Sequence, residues 1–213
     1  MDALDDIGDA IRQHLEDKNA ARERALQRSR TLIRHCSKAI RAAHRDDRSL
    51  AREHLAQAAE LVEALKVELE PYPDLYHAGY TQSALKEFAE ASIFDALSTG
   101  DPLPSPEQLT VDYVPYLGGL GEAAGELRRR VLDILRHDRI AEAERLLEAM
   151  DEIYGLLVTI DFPDALTNNL RRTTDMVRGV TERTRGDLTT SFQGRELRQA
   201  LESVHNKLQD LNL

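Results

Sequence analysis

Apolar residues recur at helical spacing through most of this 213-residue chain, and that periodicity constrains the fold more than any other feature. Ile33, Cys36 and Ile40 are typical, because they are three and four residues apart and therefore share one face of an α-helix. Stretches that alternate between apolar and polar residues are absent, and so are hairpin turn signals. The pattern predicts an all-α bundle of about six to seven helices.

Turn and capping residues set the predicted ends of these helices. The segment from Asp46 to Ser49 is typical of a turn with an N-cap, Pro71 and Pro73 end the second helix, and Asp138 is expected to cap the fifth. We expect one domain over residues 1–213. Its predicted helices cover residues 3–46, 49–70, a third segment that stops near 100, 111–137, 138–158 and 163–186, and the tail, 190–213, is expected to dock as an additional helix.

Two of these helices each carry a pair of carboxylates on one face. Glu87 and Glu90 are three residues apart and Glu122 and Glu126 are four apart, which places the Cβ atoms within each pair roughly 5–6 Å from one another. The helix of the first pair is apolar almost all round, where an unpaired carboxylate is costly or shifts its pKa. Four glycines surround the second pair, which indicates that something approaches this backbone closely.

Carboxylates gathered from two packed helices would supply the hard oxygen ligands that Mg²⁺ or Mn²⁺ prefers. One ion could polarise a phosphate and activate water, and two ions about 3.5–4 Å apart could stabilise both oxygens of a phosphodiester displacement. The alternative is that the glutamates pair with arginines, as Glu126 could with Arg129. Phosphate-binding loops, CxxC pairs and nucleophile elbows are absent from the sequence, and only one Glu-x-x-His motif occurs where a ferritin-like site needs two.

The chain is acidic overall but locally basic. It has 38 acidic and 28 basic residues, for a formal net charge of −10, yet residues 24–45 contain no acid. A solvated helix face is one interpretation of this run, and in so acidic a chain a surface for a phosphate backbone is the other. The candidate residues for contacting such a phosphate backbone are Arg28, Arg30, Arg34, Lys38, Arg41 and Arg45.

The cysteine count and the hydropathy indicate a compartment. Cys36 is the only cysteine, which excludes an intrachain disulfide, and its place on an apolar helical face predicts a core residue. Apolar runs stay below the ~18 residues needed to cross a bilayer, so no membrane partner is expected. The first residues are acidic where a signal peptide would be basic, and together these features predict a cytoplasmic protein.

The residues around the two acidic pairs resemble a known family. Tyr116-Leu-Gly-Gly-Leu-Gly-Glu-Ala-Ala-Gly-Glu-Leu-Arg-Arg is similar to the translin-family segment that reads Tyr-Leu-x-Gly-x-x-Asp-Leu-x-Gly-Glu-Leu-x-Arg in the Trax (translin-associated factor X) branch. Lys86-Glu87-Phe-Ala-Glu90-Ala resembles the Trax sequence Glu-Tyr-Val-Glu-Ala. The segment that begins Leu170-Arg-Arg is similar to the family's closing helix, so the resemblance covers roughly residues 5–190.

This resemblance implies a prokaryotic or archaeal Trax-like protein in which Glu87, Glu90, Glu122 and Glu126 hold the metal and catalytic positions of a Mg²⁺-dependent endoribonuclease. Glu122 stands where Trax has the shorter aspartate and translin an apolar residue. The resemblance also implies single-stranded or short structured RNA as the substrate, and a hollow homo-oligomer, an octamer in the family, with the acids facing inward. Two rival interpretations stay open: a translin-like nucleic-acid-binding protein without cleavage activity, and a helical scaffold whose glutamates are salt-bridged.

Overall fold

The computed structural model describes residues 2–211, and over that range it consists of helices joined by turns, without strands. The all-α prediction is therefore confirmed. Six of the described helices are long, and the other three are single turns of four residues that the periodicity did not reveal. In chain order they are α1 Asp2–His44, α2 Arg48–Leu69, α3 Pro73–Tyr76, α4 Gly79–Thr99, α5 Pro106–Leu109, α6 Tyr113–Leu135, α7 Ile140–Val158, α8 Asp164–Thr167 and α9 Leu170–Leu211.

The chain divides into two compact units, Met1–Leu120 and Gly121–Leu213, and α6 runs through the boundary. In the first unit α1 packs along α2 and α4. Leu32, Leu65 and Phe94 contribute fully buried side chains to this core, one from each of the three helices. In the second unit α7 packs on α9, with Leu146, Met150, Leu157 and Val177 buried. The single domain over residues 1–213 stays a prediction.

Some helix ends follow local capping chemistry. The Asp47 side chain accepts a hydrogen bond from the backbone nitrogen of Leu50 at 3.2 Å, which caps α2, and Gly100 closes α4 with a left-handed φ of 78°. The prediction that Asp138 caps the fifth long helix is wrong. Arg139 holds the N-cap position of α7 and its side chain makes no capping hydrogen bond, because Asp138 instead makes the preceding turn with a left-handed φ of 56°.

The C-terminal third also differs from the prediction. Pro163 precedes only the single turn α8, because Asn168 and Asn169 take left-handed φ values of 50° and 66° and break the helix. From Leu170 onward α9 passes through Gly186 without a break, since one glycine costs about 1 kcal/mol and an established helix propagates. The tail is thus the end of α9 and not a separate docked helix. Its residues Leu197, Leu201, Val204 and Leu208 are exposed on this chain.

The start of α1 exposes apolar residues in the same way. Leu4, Ile7, Ile11 and Leu15 follow helical spacing and are each more than half exposed, and we call them the N-terminal apolar stripe. Exposed apolar rows of this length are typical of surfaces that a partner covers. Within residues 2–211, none of the helices has the length and apolar character needed to cross a membrane.

Candidate functional site

The first acidic pair lies on a helix that is buried on nearly all sides. Thirteen of the 21 residues of α4 are buried, as its apolar circumference predicted. Glu90 is only 8% exposed, whereas the Glu87 side chain keeps 29% of its surface in contact with solvent. The Lys86 ammonium lies 3.9 Å from a Glu87 carboxylate oxygen. The carboxylate pair is therefore held against the protein interior with one lysine beside it.

The glycines of α6 let this helix approach α4 at Glu90. A Cβ atom added to Gly119 would lie 2.7 Å from the Ala89 Cβ and 2.8 Å from the Glu90 backbone nitrogen. A Cβ atom added to Gly118 would lie 3.1 Å from side-chain carbons of Lys86. Since real Cβ atoms do not approach so closely, a side chain at position 119 would push the two helices apart. The predicted close approach is confirmed here, and the approaching element is α4.

The other two glycines of this segment behave differently. Gly121 faces the Thr173 methyl group of α9, which also leaves no room for a side chain. A Cβ atom on Gly125 would meet nothing within 4 Å among the residues that the structure describes. Close packing thus explains Gly118, Gly119 and Gly121, and the structure gives no packing reason for Gly125.

Three of the four predicted acids come together. Glu87, Glu90 and Glu122 each offer one carboxylate oxygen, and these three oxygens lie within 4.8 Å of one another. Glu122 lies one helical turn after Gly118, and Gly118 belongs to the part of α6 that packs on α4. Oxygen ligands of one small divalent ion are about 3–4 Å apart, so small side-chain rotations would let this set hold a metal ion. We call these residues the carboxylate trio.

Glu126 is outside the carboxylate trio. It lies one turn beyond Glu122 on α6, and its carboxylate is 3.8 Å from the Arg129 guanidinium. This contact is the i,i+3 pair that the salt-bridge interpretation anticipated. Because the Glu126 side chain is still 26% exposed, it also remains reachable from solvent.

The charges of the site affect Cys36 on the neighbouring helix α1. It lies fully buried on α1, as predicted for a core residue. Burial raises the pKa of its thiol, and the negative charges of Glu87 and Glu90 raise it further. The thiol therefore stays protonated, and Cys36 lies on a buried face of α1, the helix that packs on α4.

The six candidate RNA-binding residues separate into two groups. Arg28 forms an ion pair with Glu68 of α2, which Arg24 also contacts, and it donates a hydrogen bond to the Ala64 carbonyl at 3.2 Å. Its guanidinium is thus engaged in holding α1 to α2. The other five are exposed, and we call them the basic stripe: Arg30, Arg34, Lys38, Arg41 and Arg45.

The basic stripe occupies a single face of α1. At 3.6 residues per turn its five residues fall within roughly 80° of one another and extend over about 22 Å. Two of them are steadied locally, because Arg34 donates to the Thr31 hydroxyl at 2.9 Å and Arg41 to the Ser37 carbonyl at 3.1 Å. Cys36 lies roughly 160° around the helix from the centre of the stripe. The basic stripe and the acids of α4 are therefore on opposite sides of α1.

Sequence reasoning missed Lys86 as a member of the site. The signal was present, because Lys86 immediately precedes Glu87 and is the one cation among residues 84–97. It was not recognised because adjacent helical residues do not normally face each other. The long lysine side chain nevertheless reaches the Glu87 carboxylate.

Comparison with known proteins gives relatives that match nearly the whole chain. None of the protein-family models matches. The uncharacterized protein MJ0175 of Methanocaldococcus jannaschii is 33% identical over 206 residues, which cover 95% of this chain and 90% of that protein.

Among solved structures, AfC3PO in complex with duplex RNA superposes with a TM-score of 0.83 at 34% identity, covering 88% of this chain and 97% of that one. The crystal structure of AfC3PO gives a TM-score of 0.82 with the same identity and coverage. Apo-NeC3PO has a TM-score of 0.79 and covers 86% of this chain and 96% of its own, and at 23% identity it supports the fold alone. On the combined evidence of the acidic motifs, the helical fold and these relatives, the chain belongs to the translin family and is of the C3PO type.

Proposed function

We propose that this protein binds RNA and cleaves it as a metal-dependent endoribonuclease inside a homo-oligomeric shell. The carboxylate trio is the observation that carries the proposal, since three acids converge where one of them is 8% exposed. A gathering of like charges around a buried carboxylate is costly unless it is offset, and a bound cation would offset it. The relative AfC3PO, whose structure contains duplex RNA, supports RNA as the ligand.

The ligand set favours a hard divalent ion. Glu87, Glu90 and Glu122 would hold Mg²⁺ or Mn²⁺ through carboxylate oxygens, which suit these ions better than softer ones. Such an ion supplies charge for the phosphodiester and makes a water molecule more acidic. Glu122 is one methylene longer than the aspartate of Trax, and its oxygen still reaches the other two acids.

Two further side chains would act on the attacking water and on the RNA backbone. Glu126 lies one turn from Glu122 with part of its carboxylate in solvent, where it could accept the proton of the attacking water. Lys86, beside Glu87, would limit the repulsion between the acids and the RNA backbone. The roles are thus three ligands, one general base and one charge-balancing cation.

Binding and cleavage would involve different subunits. The basic stripe can follow a phosphate backbone, but it lies on the side of α1 opposite the acids of α4. RNA held by one subunit's stripe would therefore reach the carboxylate trio of another. Closed assembly can gather several stripes and trios around one enclosed surface. The single buried cysteine fits a reducing compartment, and we place this assembly in the cytoplasm.

A direct cleavage assay tests the proposal. Labelled single-stranded RNA and a short RNA duplex should both be offered to the purified protein, with Mg²⁺, with EDTA, and with Mg²⁺ restored after EDTA. We expect cleavage that stops with EDTA and returns with the metal, and that is absent from a Glu90→Gln preparation purified in parallel. Intact RNA under all conditions, or cleavage that survives EDTA, would overturn the assignment.

The second candidate is a translin-like RNA-binding protein without cleavage activity. The position of Glu126 outside the trio, next to Arg129, favours this alternative. It predicts tight RNA binding and intact RNA in the same assay. The scaffold interpretation, in which the glutamates only form salt bridges, predicts neither binding nor cleavage.

A further inference from the structure

Two histidines meet across the packed pair α1 and α2. The Nδ1 atom of His35 lies 3.3 Å from the Nδ1 atom of His54, and the ring centroids are 5.3 Å apart with the planes at 64°. Gln57 follows His54 by three residues on α2, and its side-chain oxygen lies 3.3 Å from the same His54 nitrogen. All three side chains are partly buried, so two imidazole nitrogens and an amide oxygen lie next to one another in a partly sheltered place.

These separations match the edges of a tetrahedral metal site. Zinc binds histidine nitrogens at about 2.0–2.1 Å, so neighbouring ligands of a tetrahedron are about 3.3–3.4 Å apart. We propose that His35, His54 and Gln57 form a second metal site, which takes a tetrahedral transition-metal dication such as Zn²⁺ and leaves the fourth position to water. The site lies outside the carboxylate trio and does not depend on the function proposed above.

The ligand chemistry separates the two sites. Imidazole nitrogens suit zinc, cobalt and nickel, whereas an all-carboxylate set suits Mg²⁺ or Mn²⁺. The ordinary alternative is a single hydrogen bond, in which one Nδ1 atom carries the proton and the other accepts it. That bond engages both nitrogens with each other, whereas a metal would engage both lone pairs and the Gln57 oxygen at once.

The surroundings determine how strongly such an ion would bind. Burial lowers the pKa of His35, and the electrostatic influence of His54, Lys38 and Arg34 lowers it further, so its imidazole is neutral and can act as a ligand near pH 7. Lys38 and Arg34 would also repel a dication, so we expect a dissociation constant in the micromolar range or weaker. A bound ion would join α1 to α2 and add positive charge beside the Arg34 and Lys38 part of the basic stripe.

Metal titration in the presence of saturating Mg²⁺ tests the site. We expect one equivalent of Zn²⁺ to bind and, at about 100 times the dissociation constant, to raise the melting temperature by about 5–10 °C. Co²⁺ should give the visible absorption of a tetrahedral complex. Both responses should disappear in His35→Ala and in His54→Ala, and should persist in Glu90→Gln and in the exposed control His14→Ala.

The position of Gln57 provides the sharpest readout. Gln57→His should tighten Zn²⁺ binding at least tenfold, because it replaces a weak amide ligand by a third imidazole, and Gln57→Ala should weaken it. Circular dichroism without metal checks that each variant is folded. The proposal is overturned if wild-type protein binds no Zn²⁺, if the histidine variants bind it equally well, or if Gln57→His changes nothing.

Discussion

Helices α1 and α4 both carry charged residues that the sequence marked as functional, but they hold them in opposite ways. On α4 the acids Glu87 and Glu90 lie on a helix buried on nearly every side. On α1 the cations of the basic stripe are exposed along one face, while the opposite face is packed around Cys36. A charge is costly in the first environment and inexpensive in the second.

This difference determines how much each pattern says about function. A basic row on an exposed helix needs no ligand to be stable, so its function has to be shown by RNA binding. Acids that converge around a buried carboxylate are costly unless their charge is offset, so their arrangement makes a metal site the hypothesis to test there. The comparison predicts that changes on α4 affect chemistry and that changes on the basic stripe affect binding.

The largest effect is expected from the acids. Glu90→Ala should lower RNA cleavage by at least ~100-fold, because ligands of one metal act as a unit and each contributes several kcal/mol. Glu126→Ala should abolish cleavage as well if Glu126 is the general base. RNA affinity, helical circular dichroism and oligomer size should stay near wild type in both variants.

Each outcome of this experiment separates two interpretations. Wild-type cleavage by either variant at matched Mg²⁺ would remove that residue from the site. Unfolding of the variant would instead favour the scaffold interpretation, in which the glutamate stabilises the fold through ion pairs.

The second effect concerns assembly. If RNA bound to the basic stripe is to reach acids on the other side of α1, a second subunit has to supply those acids. We expect light scattering to give a mass several times 24.0 kDa, and cleavage to fall when the protein is diluted until it dissociates. The double variant Ile7→Asp, Ile11→Asp should weaken assembly, because it places two charges on the N-terminal apolar stripe and a charge is costly to bury in a subunit contact. Val67→Asp, at another exposed apolar position, is the matched control. A monodisperse monomer with full activity would contradict the enclosed-site proposal.

The third effect concerns the basic stripe itself. Replacing Arg34, Lys38 and Arg41 by serine should weaken RNA binding for all sequences and reduce the log–log salt slope by roughly 2–3. Arg34→Lys with Arg41→Lys keeps the charges and should leave the slope unchanged. In the serine variant, cleavage of RNA at saturating concentration should change little, because the acids are intact. Equal salt slopes for the serine variant and the wild type would instead assign this face to solvent or to subunit contacts.

Local patterns in the sequence predicted the long helices, but tertiary pairing was beyond them. Helical spacing predicted the extent of α2 and the end of α4 closely, and the Asp47 and Gly100 caps are visible as local chemistry. The ion pair of Arg28 with Glu68 joins residues 40 positions apart, and the sequence around either residue does not indicate this pairing. The turn at Asn168 was missed because Pro163 suggested the start of a long helix there.

The candidate site was predicted in the same partial way. Spacing placed Glu87 beside Glu90 and Glu122 beside Glu126, and the resemblance to Trax implied that the pairs belong together. That Glu122 joins the first pair while Glu126 lies near Arg129 depends on where α6 crosses α4. Glycines marked the crossing in the sequence, although their partner could be identified only from the structure.

The smallest effect tests that crossing with a matched pair of glycines. Gly119→Ala adds a Cβ atom 2.7 Å from the Ala89 Cβ and 2.8 Å from the Glu90 backbone nitrogen, and backbone cannot move aside cheaply. We expect the free energy of unfolding to fall by about 1–2 kcal/mol, because overpacking outweighs the gain of alanine over glycine in a helix. The Cβ atom of Gly125→Ala meets nothing within 4 Å among the described residues, so this variant should raise the free energy of unfolding by up to about 1 kcal/mol.

Urea unfolding of both variants measures the difference, and cleavage should fall only in Gly119→Ala, since that change displaces α6 at Glu90. Equal stability changes in the two variants would mean that α6 does not depend on Gly119 for its approach to α4, and the convergence of Glu122 with the α4 acids would then lose its structural basis.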